Sequence, residues 1–395
     1  MNGDKPILVV GAGTTGTSTA YHLAKEGNRV VLIDRGQIAS GTTSRSTALV
    51  RTHYSNEIVA KMALFSLRQF ESLPETGFVN NGVFFIASDA EKGAISANVS
   101  MLERIGVRSM VLDREDSKRK FPELMIDDCS YFLLEPESGY ADPVATAVYY
   151  AKKAEESGAE IITGKRVAKV LFSNKKLEGV ELSDWSRIRC EKAILCTNVW
   201  TNQLLKDSGF NDTALPLWTS AHPVITMKRP QSYAGKKATI VDLPSKAYFK
   251  PEGQSLLFGG SLDAEMDRDR VINPEQCPNE IPFEFLSYYS EAIMRRIPGM
   301  AQGEVHSSYV GMYDMTPDQH PIIDSLDELL GAEGLYCCVG LSGHGFKLCP
   351  ALGVMNSEMV MGREPSMFDW NDFSLRRFRE GKVLTTKFSG IGTIA

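Results

Sequence analysis

The chain opens on an apolar run, Ile7-Leu8-Val9-Val10, that feeds directly into Gly11-Ala12-Gly13-Thr14-Thr15-Gly16. Few arrangements satisfy this pattern. The run has the short, β-branched character of a parallel strand buried on both faces. The stretch from Thr14 to Glu26 has few breakers and reads as a helix that stops at Gly27-Asn28. Gly11 permits the tight turn, Gly13 lets the backbone approach a pyrophosphate, and Gly16 lets helix and strand pack closely. The helix N-terminus, with the Thr14 and Thr15 amides, offers free N–H groups and a positive dipole end to phosphate. A second strand, Arg29 to Asp34, ends in an acid roughly 20 residues past the motif, where ribose hydroxyls belong. That carboxylate disfavours a 2′-phosphate and hence NADP.

A second glycine-rich turn, Gly340-Leu341-Ser342-Gly343-His344-Gly345-Phe346-Lys347, follows another buried strand, Gly334 to Val339, near the far end of the chain. Residues 350–361 read as the helix after it. Two such turns suit a long cofactor held at both ends, and FAD fits better than NAD.

At 395 residues the chain has room for two domains, or one large domain with an insertion. Residues 36–55 are rich in turns and hydroxyls. Gly41, Thr42, Thr43, Ser46 and Thr47, just after the acid, are placed for phosphate or flavin contact. Helices are expected over 57–73, over much of 89–127, and from Asp142-Pro143 to Gly158. A strand is expected over 80–88 and a small meander over 160–194. Antiparallel strands bounded by Pro and Gly follow at 224–227, 247–250 and 255–260, then a helix over 283–297. The fold class is therefore α/β plus α+β: a discontinuous Rossmann-type FAD-binding domain with an inserted, mainly antiparallel substrate domain. The boundaries are 1–80, 138–215 and 305–365 for the first, 81–137 and 216–304 for the second, and 366–395 for a C-terminal arm.

A net charge of −6 without a basic run argues against nucleic acid or an anionic membrane as partner. The seven cysteines lack metal-type spacing; no metal is expected, and reduced thiols suit a cytoplasmic protein. The opening apolar run is too short for a membrane span.

These residues carry a resemblance. GAGTTG with Asp34, Thr47 to Arg51, Ala247-Tyr248-Phe249-Lys250-Pro251, Gly311 to Asp318, Ser342 to Lys347 and Phe373 to Phe378 together resemble the FAD-dependent D-amino-acid oxidase superfamily, nearest its sarcosine oxidase and dimethylglycine dehydrogenase group. The resemblance implies a GR2-like cofactor domain with the flavin at the domain interface. It implies that Arg51 and Lys347 hold a substrate carboxylate, that Tyr248 and Tyr313 line the cavity, and that His344 lies near the flavin. The amides of Gly343, His344, Gly345, Phe346 and Lys347 would face the flavin. Val10, Arg35, Val167, Thr197, Asn198, Trp200, Gly311 and Gly340 would complete the cofactor contacts.

The chemistry agrees with those roles. A helix N-terminus with a lysine beside it stabilises negative charge on a reduced flavin. A guanidinium and an ammonium converging on a small cavity hold a carboxylate. The expected reaction is hydride transfer from a small secondary or N-methylated amino acid, such as sarcosine, dimethylglycine or proline, giving an imine that water hydrolyses. Two alternatives stand beside it: oxidation of a 2-hydroxy acid or glycerol 3-phosphate, and a flavin-bearing subunit that needs a partner subunit or a separate electron acceptor. Some relatives attach the flavin through a cysteine where Gly311 stands here, so non-covalent FAD is expected. The same relatives carry a lysine over the flavin where Leu257 is aligned, which predicts slow reaction with oxygen. Asp318, His320 and Asp324 read as loop structure.

Overall fold

The computed structural model describes residues 5–211, 214–262, 270–271 and 273–384. Its first layer is a six-stranded sheet in the order Ile322–Ser325, Leu335–Val339, Lys192–Leu195, Ile7–Val10, Val30–Ile33, Glu160–Ile162. All neighbours run parallel except the Ile322–Ser325 edge strand. The Ile7–Val10 and Val30–Ile33 strands are buried along their whole length, which is why they read as unbroken apolar runs rather than alternating ones. Val10 lies level with both Ile33 and Leu195. The turns after these strands therefore open at one edge, the carboxyl edge where α/β sheets bind ligands.

Helices Thr14–Lys25, Glu57–Ser72 and Gly345–Met361 pack on one face of this sheet, their apolar sides closing over Val9, Leu32 and Ile194. Pro143–Glu156 packs on the first of them. It starts where the sequence places it: Pro143 has no N–H to lose, and Asp142 caps the Val144 and Ala145 amides at 2.8 Å. The opposite face carries a three-stranded meander, Val167–Ser173, Lys176–Leu182 and Arg187–Arg189, packed on Leu8, Val10, Val31 and Ile33. The start of the expected 160–194 meander, Glu160–Ile162, belongs instead to the parallel sheet, as does the buried strand Lys192–Leu195. The helix after the second glycine-rich turn begins at Gly345, not 350, and runs through Pro350. Its Phe346 and Lys347 thus stand in the first helical turn.

The second unit is a nine-stranded sheet, antiparallel except where Thr239–Asp242 runs beside Val83–Ala87. Helix Phe283–Arg296 covers one face, with Phe285, Tyr289 and Ile293 against Ile225, Phe249 and Leu257. Trp218–Lys228 pairs from end to end with Glu304–Met315. The expected return to the nucleotide unit at 305 thus falls at the start of a strand that stays in this sheet, and the chain rejoins the parallel sheet at Ile322. A small sheet of Leu49–Val50, Gly139–Tyr140 and Val79–Asn80 joins the layers and delivers Arg51.

Of the C-terminal arm, residues 366–384 pack back on the first unit, with Phe373 wholly buried. The remainder of the arm, 385–395, lies outside the described residues.

Candidate functional site

The glycine turn is shaped by close backbone approaches. Gly11 has φ +108°, and a Cβ there would lie 2.4 Å from the Cys196 carbonyl oxygen. A Cβ on Gly16 would sit 1.8 Å from the Gly11 oxygen, and one on Gly13 would meet Thr43 Oγ1 at 2.8 Å. Asp34 is held in place by the turn itself: the Ala12 amide donates to Oδ2 and the Gly36 amide to Oδ1, each at 2.7 Å.

Beyond this turn lies a cavity of about 980 Å³. Val10, Gly11, Gly13, Asp34 and Arg35 line one wall, and Gly41, Thr42 and Thr43 another. Val167, Thr197, Asn198 and Trp200 complete the expected set there. Glu275, which the sequence reading missed, roofs the cavity. It pairs with Arg35, whose guanidinium lies 4.2 Å over the Trp200 ring, and accepts from Trp200 Nε1 at 2.8 Å.

A smaller cavity shares Gly13, Thr42, Thr43 and Asn198 with the first and continues the trough. Thr14, Thr15, Gly16 and Ser46 line it on one side, and Gly311, Tyr313, Gly343, Gly345 and Phe346 on the other. Thr47, Gly340, His344 and Lys347 are expected contacts that line neither cavity. The trough fits an extended dinucleotide. Its floor is a cradle that a single Cβ would fill, two helix N-termini converge on it, and the first turn of the Thr14 helix holds no acid to repel phosphate.

At the far end the structure gathers Arg51, Tyr54, His344 and Lys347, all buried. The Arg51 guanidinium donates to the His53 carbonyl and lies 4.4 Å over the Tyr54 ring. Tyr54 and His344 Nδ1 share a 3.0 Å hydrogen bond. Burial pushes the Tyr54 hydroxyl up to about 12, so it keeps its proton. Burial, reinforced by Lys347 and Arg51, holds the His344 imidazole well below its usual range and neutral. Burial and then Arg51 likewise hold Lys347 well below the usual ammonium range, and among the described residues its Nζ reaches only the Gly343 carbonyl, at 3.5 Å. Behind Arg51, the buried Glu135 carboxyl accepts from the Thr52 amide (3.0 Å) and Ser138 Oγ (2.8 Å), and burial raises its pKa. Tyr54 and Glu135 carry no motif, so only the fold reveals them.

Tyr313 stacks on His222 with centroids 3.6 Å apart. It also lies against Gly343, where a Cβ would come within 2.7 Å of the ring and φ is +81°. Tyr248 stands in the nine-stranded sheet on a different neighbour: a Cβ on Gly260 would lie 2.8 Å from its hydroxyl. Leu257 does not look into the site. It pairs opposite Pro251, shares the face of Phe249, and is wholly buried under helix Phe283–Arg296. Tyr248 and Lys250 take the other face by strand alternation. The reading of Leu257 as a lost lysine, and of slow oxygen reaction from it, is corrected accordingly.

Asp314 is a further residue the sequence reading missed. Fully buried at the trough, it accepts from Asn198 Nδ2 at 2.9 Å and from the Gly340 amide at 2.6 Å. Burial pushes its carboxyl up to about 7 from 3.8. The folded chain therefore keeps a proton that the unfolded chain releases above pH 4. That contribution is complete below pH 4 and lost as pH rises to 7. Asp314→Asn should gain on the parent chain by about 1.4 kcal/mol per pH unit across that window and level off above it. Urea unfolding of cofactor-free protein at pH 5, 6, 7 and 8 measures this, and a constant difference would remove Asp314 as the titrating group.

No helix among the described residues is long and apolar enough to cross a membrane, and no cluster of three metal-ligating side chains occurs among them.

A family model described as "FAD dependent oxidoreductase" (DAO) matches residues 6–359. Human mitochondrial sarcosine dehydrogenase is 25% identical over 94% of this chain, but the match covers only 41% of that protein. The chain thus spans about two fifths of its length. The sarcosine oxidase β subunit of Rhizobium meliloti is 25% identical over 97% of this chain and 91% of its own. Among solved structures, L-proline dehydrogenase from P. horikoshii superimposes with a TM-score of 0.87 at 25% identity, covering 97% of this chain and all of that one.

Proposed function

The chain belongs to the DAO family of FAD-dependent oxidoreductases, and we propose that it oxidises the C–N bond of a small secondary or N-methylated amino acid of the sarcosine, dimethylglycine or proline kind. The observation that carries this reading is the buried pairing of Arg51 with Lys347. Burial first, and then repulsion by Arg51, hold the Lys347 pKa well below the usual ammonium range. A substrate carboxylate between them relieves that repulsion and returns Lys347 to its charged form. Relatives named for sarcosine and proline oxidation support the substrate class.

Gly13, Thr14, Thr43 and Asp34 would hold the nucleotide half of FAD, and Gly343 to Phe346 the flavin half. When bound, FAD supplies a two-electron acceptor for the hydride lost from the carbon beside the substrate nitrogen. The remaining work falls to the chain. Arg51 fixes the carboxylate and, with Lys347, favours the neutral amine whose lone pair assists hydride loss. His344, held neutral by burial, cannot take part as a cation. Tyr313, stacked on His222, closes the wall. The cysteines that line the trough, Cys196 and Cys338, have thiol pKa values raised by burial and are poor nucleophiles, and Gly311 has no side chain to bond. FAD is accordingly proposed to be held without a covalent bond.

Mixing the flavin-loaded protein without oxygen against sarcosine, dimethylglycine, L-proline and 2-hydroxyglutarate tests the proposal. Bleaching by an N-alkyl amino acid is the expected result; bleaching by the hydroxy acid alone would move the reaction to C–O oxidation.

A further inference from the structure

We propose that the C-terminal arm sets the shape of the Gly340–Lys347 turn, with Arg377 as the positioning residue. This rests on the family's cofactor and not on the proposed substrate.

Arg377 is 3% exposed and makes five hydrogen bonds. Its Nε and Nη2 grip both Asp318 oxygens, at 2.7 and 2.9 Å. Nη2 also donates to the His320 carbonyl (2.9 Å), and Nη1 to the Phe373 and Ser374 carbonyls (2.6 and 3.2 Å). Pinning a tail needs less than this, since Phe373 already anchors the arm by burial. The network instead continues inward. Asp318 Oδ1 accepts from the His320 amide at 3.2 Å and lies 3.2 Å from Thr316 Oγ1, whose nearer acceptor is the His320 carbonyl at 2.8 Å. The Thr316 amide donates to Ser342 Oγ at 3.2 Å, and the two hydroxyls lie 3.3 Å apart.

Ser342 is the residue that needs support. Its φ is +46°, a conformation that costs a non-glycine residue about 1 kcal/mol or more. It sits immediately before Gly343, which lines the trough. A second contact runs alongside: His320, with Nδ1 at 2.6 Å from the Asp318 carbonyl, places its ring parallel to His344 with centroids 6.4 Å apart. A fork of fixed geometry on the arm thus reaches the flavin-side turn through Asp318, Thr316 and Ser342. Lysine in its place keeps the charge but loses the fork.

The test measures the FAD dissociation constant by flavin fluorescence, and amide hydrogen exchange over 340–347 in cofactor-free protein, for Arg377→Lys, Ser342→Ala, the double variant and Phe373→Leu. Arg377→Lys is expected to weaken FAD binding about tenfold and to speed exchange in the turn. Ser342→Ala should do the same, and the double variant should bind no worse than the weaker single, because both cut one path. Phe373→Leu should lower the melting temperature and leave the dissociation constant alone. Parent-like binding by Arg377→Lys, independent effects that multiply in the double, or an equal loss of affinity in Phe373→Leu would each overturn the proposal. All four changes are mild, so the outcome does not depend on a chain that fails to fold.

Discussion

Arg51→Met should lower the second-order rate of flavin reduction by N-alkyl amino acids by about 30- to 3,000-fold, the equivalent of about 2–5 kcal/mol for losing one member of a buried, hydrogen-bonded charge pair. The loss should fall on substrate capture. Without the guanidinium, the carboxylate must leave water for a pocket whose remaining base, Lys347, is depressed by burial. Removing Arg51 also removes its push on Lys347, so the lysine regains part of its charge and limits the damage. Arg51→Lys should fall between the two, since an ammonium cannot grip a carboxylate with two parallel N–H groups. Acetate separates binding from chemistry. Its perturbation of the flavin spectrum should weaken in step with the rate, because it has the carboxylate and no reacting amine. A rate loss with unchanged acetate affinity would take Arg51 away from the carboxylate and leave it only a role in packing Tyr54. Stability should change little, because the same substitution strips Glu135 of a nearby positive charge and spares Lys347 a repulsion, and the two effects oppose.

Why Arg51 could be singled out from the chain alone, when Tyr54 and Glu135 could not, shows what a sequence encodes locally. The cofactor half was legible because its constraints act over a few residues: a strand, a turn with a steric need for glycine, a helix, an acid at the next strand end. Arg51 and Lys347 entered through motif resemblance, and the fold brings them together. Tyr54 is one tyrosine among 13, and its meaning lies in a hydrogen bond to a residue 290 positions away. Asp314, Glu275 and the Asp318–Arg377 pair are likewise partners across long separations. The boundary at 305 missed the strand Glu304–Met315 for the same reason, since its place is set by pairing with Trp218–Lys228 and not by its own residues. Leu257 failed on parity: whether a strand residue faces the site or the core flips with a one-residue slip. Asp318 and Asp324 were read as loop structure, which holds in part. Asp318 is a loop residue, but Asp324 stands in the Ile322–Ser325 strand, opposite Cys337; Asp324 accepts from the Leu375 amide and Asp318 from Arg377, so both tie down the arm.

The other large effect is expected at Gly16. A Cβ there would stand 1.8 Å from the Gly11 carbonyl oxygen and 3.4 Å from the Cys196 Cβ. The first is a hard obstacle, and the second is ordinary van der Waals contact that leaves no room to shift toward it. Gly11 is fixed by its own amide, which donates to the Ile33 carbonyl at 2.8 Å, and Cys196 follows the Lys192–Leu195 strand at the sheet edge. Gly16→Ala must therefore lift the Thr14–Lys25 helix off the strand, which opens the contacts of Ala20 and Leu23 with Val9 and Leu32 as well as the phosphate cradle. Overpacking of this kind costs about 1–3 kcal/mol, and more where backbone is the obstacle. The variant should purify without a flavin band and melt well below the parent, and added FAD should not restore the spectrum. Two neighbours calibrate the result. At Gly13 the obstacle is the Thr43 hydroxyl, the end of a side chain that can turn away, so Gly13→Ala should fold and bind FAD more weakly. At Gly27, φ is +83° and nothing lies within 4 Å, so alanine there should lower stability through backbone strain and leave FAD affinity alone. If Gly16→Ala behaved like Gly27→Ala, helix and strand would have more slack than the sheet edge shows, and the glycine cradle would not be what holds the nucleotide.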